Sequence, residues 1–199
     1  MSVEKSVTRT PPTETPAAGD LRHPSLFRDF VETMLLIAIA FLVVNALIGR
    51  FRIEQVSMEP NLHEGEYVIV DKVSYLFRPP ARGEVVVLKQ RIGQPDLIKR
   101  VIGLPGETLQ VSNGKVQIDG QPLDEPYMKD LVINQDTQPV SIPPGRVFVM
   151  GDNRNNSEDS RRFGPISFDE IVGRAWIIYW PPPNWQILTQ PSYAAPVTP

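Results

Sequence analysis

The chain has 199 residues, a formal net charge of −3 and 41% hydrophobic residues, which is enough for one compact domain with appendages. It contains no cysteine, and this excludes disulfide bonds, thiolate nucleophiles and cysteine-ligated zinc. Acidic and basic residues are interspersed and only two histidines occur, His23 and His63, so we expect neither a nucleic-acid partner nor a metal or other cofactor.

The first elements in chain order are a polar tail and a long apolar segment. Residues 1–24 are rich in Pro, Thr, Ala and Ser without an apolar period, so we predict a disordered tail. The segment from Phe30 to Gly49 carries one charge, Glu32, and lacks the polar stripe of a soluble amphipathic helix. It is also longer than the apolar core of a cleaved signal peptide. We predict a transmembrane anchor over residues 25–50, since about 20 apolar residues span the ~30 Å hydrocarbon layer. Arginines flank the segment on both sides, so charge alone leaves its orientation open.

The rest of the chain is predicted to be mostly β. Between residues 51 and 185, short β-branched runs alternate with turn signals, and the 21 prolines suit strand edges and turns better than helices. Residues 112–114 (Ser-Asn-Gly) are typical of a hairpin turn. Residues 186–199 are expected to form an irregular C-terminal tail. The predicted strands cover Tyr67–Val70, Glu84–Leu88, Leu97–Ile102, Leu109–Val111, Lys115–Ile118, Arg146–Met150 and Gly173–Trp180.

Two segments of this β region each hold one residue that could carry chemistry. Without cysteine or a metal, and with scarce histidine, a hydrolase must activate water or a hydroxyl through a carboxylate pair or a deprotonated lysine. Ser57 lies where Pro60 prevents a helix, so its hydroxyl can be exposed. Lys99 alternates with Leu97 and Val101 on a predicted strand, which directs its amine into apolar surroundings. Taken singly, each also fits an ordinary surface serine or a lysine at a strand edge.

A third segment, Met150 to Pro165, is a dense polar cluster directly after an apolar strand. It is too polar for a core, and its Asp and Arg side chains also fit a structural network of ion pairs. Ser157 is the member that we single out as a candidate for the site.

Together the three segments resemble one family, the type I signal peptidases, which are the Ser–Lys leader peptidases of bacteria and thylakoids. Residues 57–62 (SMEPNL) are similar to the S-M-x-P-T-L box that holds the nucleophile of that family. Residues 99–107 (KRVIGLPGE) are similar to its K-R-V-x-G-x-P-G-D/E box, which holds the general base. Residues 151–161 (GDNRNNSEDSR) match its G-D-N-R-x-N-S-x-D-S-R box. The resemblance runs from the anchor to about Pro181, with Asn61 in place of the usual threonine.

The resemblance implies a role for each box. Ser57 is expected to attack the scissile carbonyl and Lys99 to take its proton, giving an acyl-enzyme, while Ser157 holds the lysine amine by a hydrogen bond. The backbone N–H of Ser57 is the first expected oxyanion donor, and Gln55, where some members carry a hydroxyl, is a second candidate. The loop that carries Ser157 is expected to be braced by Asp152, Arg154, Asp159 and Arg161.

The resemblance also implies a fold and a substrate. The fold is a signal-peptidase-like two-part β-sheet body behind one N-terminal transmembrane helix: a catalytic β domain over residues 51–185 with a smaller β insert at about 104–145. The reaction is removal of N-terminal signal peptides from translocated preproteins after small-x-small sites such as Ala-x-Ala. An extended substrate would pair with a sheet edge and place alternate side chains in shallow apolar pockets. The expected pocket walls are Ile53, Met58, Leu62, Leu97 and Ile98.

The expected partners are preprotein signal peptides, the lipid bilayer and the protein-translocation machinery. The resemblance places the chain in a plasma or thylakoid membrane, with residues 1–24 in the cytoplasm and the catalytic domain on the extracytoplasmic or lumenal side. Trp180 and Trp185 are expected near the lipid headgroups, with packing of Trp180 in the core as an alternative. Two other functions stay open: a self-cleaving Ser–Lys protease of the repressor type, which would need a DNA-binding motif ahead of the β domain, and a noncatalytic membrane-anchored β module.

Overall fold

The computed structural model describes residues 26–89, 95–128, 132–191 and 193, so the predicted tail at residues 1–24 lies outside the described part of the chain. The chain divides into two units, Met1–Ala40 and Phe41–Pro199. Helix α1, Leu26–Leu47, has no buried residue and is, among the described residues, the one helix long and apolar enough to cross a membrane. Its 22 residues extend for about 33 Å, which matches the ~30 Å hydrocarbon layer.

The elements that follow α1 are almost all strands. Helix α1 ends at Leu47, so residues 48–50, which were predicted to belong to the anchor, begin a strand instead. Short 3-10 turns occur at residues 56–58, 168–170 and 182–184. In chain order the strands and short helices are β1 Ile48–Arg52, β2 Tyr67–Asp71, α2 Ser74–Phe77, β3 Val85–Leu88, β4 Leu97–Gly103, β5 Thr108–Ser112, β6 Lys115–Ile118, β7 Gln121–Pro122, β8 Val140–Ser141, β9 Arg146–Met150, α3 Ser160–Phe163, β10 Ile166–Ser167, β11 Ile171–Trp180 and β12 Gln186–Ile187.

The strands form two antiparallel sheets. The larger sheet has the order β1-β2-β11-β3-β4-β9-β10, with β12 paired to β11, and the smaller has the order β7-β6-β5-β8. The smaller sheet is built from chain between Gly103 and Arg146, within the range predicted for the insert. A mostly β body in two parts, behind an apolar N-terminal helix, is therefore confirmed.

The C-terminal region is more ordered than the sequence suggested. Residues 186–187 form β12 against β11, and the N–H of Leu188 donates to the Trp176 carbonyl at 2.8 Å, so the predicted irregular tail begins with a strand. Trp180 and Trp185 are 52% and 65% exposed. Core packing of Trp180 is thus not observed, and the headgroup location of both tryptophans stays a prediction.

Apolar clusters cover both faces of the centre of the larger sheet. Every residue of β3 and β4 is buried, which explains why β3 is a continuous apolar run; the buried residues of β4 include the charged residues Lys99 and Arg100. One cluster includes Met58 and Leu62 and therefore holds the turn at residues 56–58 on the sheet. A second cluster lies between the smaller sheet and β9. These clusters fix the turn beside β4, and this contact sets the geometry of the candidate site.

Candidate active site

Ser57 lies in the 3-10 turn of residues 56–58, between β1 and β2. The turn follows the extended residue Gln55 and ends at Glu59, just before Pro60. Met58, the last residue of the turn, and Leu62, four residues further on, are completely buried and anchor the turn in the core. Ser57 itself is 4% exposed, so only a small part of it reaches solvent, at the edge of a cavity described below. The sequence expectation of an exposed loop hydroxyl is corrected on this point.

Lys99 meets Ser57 across 42 positions of sequence. Its Nζ lies 2.6 Å from the Ser57 Oγ, and the lysine is completely buried in β4, opposite Val86 of β3. Burial lowers the pKa of Lys99 from 10.5 to about 8, although the carboxylates of Asp159, Asp152 and Glu158 act in the opposite direction. With that pKa, roughly a tenth of the amine is neutral at pH 7, which is several hundred times the fraction for an exposed lysine. The direction and the cause agree with the expectation that burial would favour the neutral amine.

The loop after β9 holds the turn that carries Ser57 in place. The backbone N–H of Asn153 donates to the Ser57 carbonyl at 3.0 Å, and its side-chain amide donates to the Val56 carbonyl at 3.1 Å. A Cβ at Gly151 would collide with the Ser57 carbonyl oxygen and the Ser157 hydroxyl, so the loop approaches the turn this closely because residue 151 is glycine. Asn153 was not singled out from the sequence, although it lies within the third box.

A buried ion pair lies next to the lysine. Arg100 makes two hydrogen bonds to Asp152, at 2.8 and 2.6 Å, and its guanidinium stacks over the Tyr127 ring at 4.0 Å. Burial alone would lower the pKa of Arg100, but the hydrogen bonds and charge of Asp152 hold it above its usual value. Asn61 joins this pair by donating to Asp152 at 2.8 Å and to the Tyr127 carbonyl at 3.1 Å. Sequence reasoning missed Arg100 as a partner of Asp152, although the arginine directly follows the lysine in the same box.

The other predicted bracing residues also form ion pairs. Arg161 makes two side-chain hydrogen bonds to Asp159, at 2.8 and 2.7 Å, and Asp159 also accepts the Gly151 N–H at 3.0 Å. Burial favours the protonated acid, but Arg161 and these backbone donors hold the pKa of Asp159 below its usual value. Arg154 is buried and pairs with Glu125 of the insert. No sequence signal pointed to Glu125, because the pair joins residues 29 positions apart in different parts of the fold.

Ser157 is near the pair, but the expected hydrogen bond to Lys99 is not formed. Its Oγ is buried and, among the described residues, has no hydrogen-bond partner. The residue lines a cavity of about 510 Å³ that also contains Ser57 and Gln55. The structure therefore brings Ser157 to the site without showing it in its expected role.

The five predicted pocket residues divide into two groups. Ile53, Leu97 and Ile98 line a second cavity of only about 20 Å³, which Gln55 also lines. Met58 and Leu62 are completely buried in the core beneath the turn. The structure therefore offers a small recess, lined by both apolar and charged residues, at three of the five positions and core packing at the other two.

Comparison with known proteins shows which family the chain resembles. Residues 27–180 match the family model described as signal peptidase, peptidase S26. A signal peptidase I from Leptolyngbya laminosa is 40% identical over 184 residues, covering 87% of this chain and 89% of the relative. A signal peptidase I from Bacillus caldolyticus is 36% identical over 146 residues, covering 67% of this chain and 80% of the relative. A solved signal peptidase I from Enterococcus faecalis V583 is 31% identical, covers 49% of this chain and 97% of that one, and superposes with a TM-score of 0.43.

The fold, the site and these matches define a membrane-anchored peptidase. More specifically, the chain belongs to the signal peptidase family, peptidase S26. The family acts on the signal peptides of preproteins at the membrane, and α1 is the element of this chain that fits membrane anchoring.

Proposed function

We propose that this protein is a Ser–Lys signal peptidase that cleaves preproteins after small-x-small sites through an acyl-enzyme. The observation that carries the proposal is the 2.6 Å distance between Ser57 Oγ and the Nζ of a completely buried lysine whose pKa is about 8. A lysine with an ordinary pKa would be almost entirely protonated at neutral pH and could not accept a proton from a hydroxyl.

The chemistry needs no group beyond the chain, the substrate and water. Neutral Lys99 accepts the Ser57 hydroxyl proton as Oγ attacks the scissile carbonyl carbon, and the ammonium then gives that proton to the departing amine. A water molecule next loses a proton to Lys99 and attacks the ester; the ammonium returns that proton to the departing Ser57 Oγ, and the released acid ionises to the new carboxylate. The backbone N–H of Ser57 donates to the oxyanion, and the Gln55 amide is the proposed second donor, supported by its place in both cavities.

Ser157 is proposed to bind the amine of Lys99 once substrate has entered. Its buried hydroxyl has no partner among the described residues, and an unsatisfied buried hydroxyl is costly. An amine that must alternate between serine and water needs a fixed position, and a hydroxyl next to it can supply that restraint.

Substrate selection is proposed to come from the small recess at Ile53, Leu97 and Ile98. A recess of about 20 Å³ accommodates small side chains and excludes large ones, which fits an Ala-x-Ala preference. Met58 and Leu62 would then shape the recess from below through their packing in the core. The β body is proposed to lie on the extracytoplasmic or lumenal side of a plasma or thylakoid membrane, close to the translocation machinery.

A cleavage assay tests the proposal. The full-length protein in detergent is mixed with a preprotein that carries an Ala-x-Ala site, and the product N-terminus is sequenced. We expect one cut after the second alanine, and no cut with Ser57→Ala. A Ser57→Ala variant that still cleaves would refute the nucleophile. Cleavage of the enzyme's own chain instead of the preprotein would favour a self-cleaving protease, and no Ser57-dependent cleavage of either would favour a noncatalytic module.

A further inference from the structure

The cavity of about 510 Å³ beside Ser57 is lined by three carboxylates. Glu54, Glu64 and Glu158 lie in its wall together with Ser57 and Ser157. Its volume falls within the ~300–1,000 Å³ range of ligand pockets. The buried Ser157 Oγ has no partner among the described residues, so the cavity contains a polar atom whose hydrogen bonding is incomplete while the cavity is empty. The cavity therefore has the size and the free polar group of a binding site.

The three carboxylates are not engaged by the protein itself. All three residues are exposed, and none has a hydrogen bond or an ion pair to another residue in the part of the chain that the structure describes. The buried carboxylates nearby are paired, Asp152 with Arg100 and Asp159 with Arg161. Arg162 also lines the cavity, which leaves its lining with a net charge of −2. A concave surface of one sign attracts ligand groups of the opposite sign.

Two of the carboxylates are brought together by backbone hydrogen bonds. The Ile53 N–H donates to the Glu66 carbonyl at 2.8 Å, and the Gly65 N–H donates to the Ile53 carbonyl at 2.8 Å. These bonds fasten the segment that carries Glu54 to the segment that carries Glu64. Their joint position in the cavity wall is therefore a property of the fold.

The third carboxylate lies on the loop after β9, which is fastened to the insert. The Asn155 side chain donates to the Val132 carbonyl at 3.0 Å and accepts the Asn134 N–H at 2.9 Å. The charge of Glu158 opposes the lowering of the Lys99 pKa by burial. This carboxylate therefore lies near the reacting amine as well as in the cavity wall.

The position of the cavity indicates which part of a substrate it receives. The small recess that is proposed to hold residues before the cut shares Glu54 and Gln55 with this cavity, but only the cavity reaches Ser57. A substrate chain that occupies the recess and passes Ser57 must continue into the cavity with the residues after the cut. At ~3.3 Å per extended residue, the first three of these residues cover about 10 Å.

We propose that this cavity binds the first residues of the mature protein and favours a lysine or arginine side chain among them, with Glu54, Glu64 and Glu158 setting the preference. The inference rests on the proposed cleavage at Ser57 and adds a charge preference on the side of the bond that becomes the new N-terminus. An acidic side chain at the same place meets like charges in a partly enclosed space and is disfavoured.

Competition between substrates measures the preference. The full-length protein in detergent cleaves pairs of preproteins that share one Ala-x-Ala site and differ only in carrying Lys or Glu at the first, second or third position after the cut. The product ratio gives the ratio of kcat/KM. We expect at least a fivefold advantage for lysine in one or more pairs at low salt, and a ratio near one in about 0.5 M NaCl, because ions screen exposed carboxylates. Ratios near one in all three pairs at low salt would overturn the proposal.

Charge reversal identifies the residues responsible. The double variant Glu64→Lys, Glu158→Lys reverses the sign of the lining charge and should bring the Lys-to-Glu ratio below one. The ratio is the readout because Glu158 also acts on Lys99, and that effect is common to both substrates. Asp169→Lys is the matched control: it is an exposed carboxylate that follows the bond to Gly145 at the start of β9, whereas the cavity loop follows the end of that strand. The control should keep the parent ratio, and a double variant that also keeps it would contradict the assignment.

A binding measurement separates this inference from the proposed function. Fluorescently labelled peptides that span the cleavage site, with Lys or Glu after the cut, are titrated with the Ser57→Ala variant, and anisotropy gives each Kd. We expect the Lys peptide to bind at least threefold more tightly. Equal Kd values would overturn the charge preference even if the parent cleaves both preproteins. If the parent cleaves neither preprotein, the proposed function fails, while the ratio of Kd values still decides what the cavity prefers.

Discussion

Burial makes the ammonium form of Lys99 unfavourable in this fold. Its pKa of about 8, compared with 10.5 in the unfolded chain, means that burial destabilises the folded protein whenever the amine is protonated. The penalty is fully present below about pH 8 and disappears as the pH rises from about 8 to 10.5. At about 1.4 kcal/mol per pH unit it amounts to roughly 3 kcal/mol.

Replacing this lysine by an apolar residue should therefore remove the penalty. Lys99→Met is expected to abolish cleavage and to match or exceed the parent free energy of unfolding at pH 6, with the advantage shrinking above pH 8. Denaturant unfolding at pH 6 and pH 9 measures both values. A large loss of stability at pH 6 would instead identify Lys99 as a paired structural cation.

An arginine at the same position separates charge from basicity. Lys99→Arg keeps a cation in reach of Ser57, but a guanidinium does not release its proton at accessible pH. We expect no cleavage of a preprotein, even in long incubations. Activity retained in this variant would end the proposed mechanism, because Lys99 could then act only through its charge.

Ser157 offers a test in which stability and activity should separate. Its hydroxyl makes no hydrogen bond to the described residues, so Ser157→Ala should leave the free energy of unfolding unchanged or slightly higher. Turnover should fall by roughly 10²-fold, because an unrestrained lysine amine samples unproductive positions. Steady-state kinetics decide the matter: a kcat within about threefold of the parent would remove Ser157 from the site.

At the scale of elements, Asn61 connects the nucleophile turn to β4 through Asp152 and Arg100. Asn61→Ala removes the hydrogen bond from the side-chain amide to the buried carboxylate of Asp152, which should cost about 1.5–3 kcal/mol of stability. It should also lower kcat by tenfold or more, because Ser57 and Lys99 would move apart. Asn184→Ala is the matched control, because Asn184 donates to the buried carboxylate of Glu66 at 2.7 Å. The control should lose similar stability with kcat nearly unchanged. Equal losses of kcat would assign Asn61 a merely structural role.

Elements with long β-branched runs could be predicted from sequence, and short or context-dependent ones could not. The strand predicted over Leu97–Ile102 is observed over Leu97–Gly103, because the aliphatic and β-branched residues on both sides of Lys99 and Arg100 already favour a strand. The first strand was missed because Ile48 and Gly49 end the apolar segment assigned to the anchor, and only pairing with β2 makes residues 48–52 a strand. The two-residue strands β7, β8, β10 and β12 are too short to show the alternation of apolar and polar residues that identifies a strand.

The same limit applies to the site. Ser57 and Lys99 could be found because each lies within a recognisable box, whereas their distance depends on pairing between distant strands. Partners such as Glu125 and Tyr127 come from the insert, and nothing in the spacing of the boxes indicates them. These contacts form only when the insert packs against the larger sheet, so they depend on the fold of the chain and not on local sequence.

At the scale of the whole molecule, the proposed orientation can be tested with single cysteines. Lys115→Cys should react with a membrane-impermeant maleimide in intact spheroplasts, because the β body is proposed to face outward. Ser2→Cys should react only after lysis, because the N-terminal tail is proposed to face the cytoplasm. Labelling in the reverse pattern would invert the topology.

Helix α1 passes directly into β1, with no connecting residue that could accommodate an insertion or a deletion. Leu47 ends the helix, and Ile48 is already paired with Asp71. One inserted residue would either rotate the last helical turn by about 100° or slip β1 along β2, which would turn Arg50 inward and Phe51 outward. Both outcomes break a fixed register, so insertions and deletions should accumulate in the first 24 residues and be absent at residues 47–48.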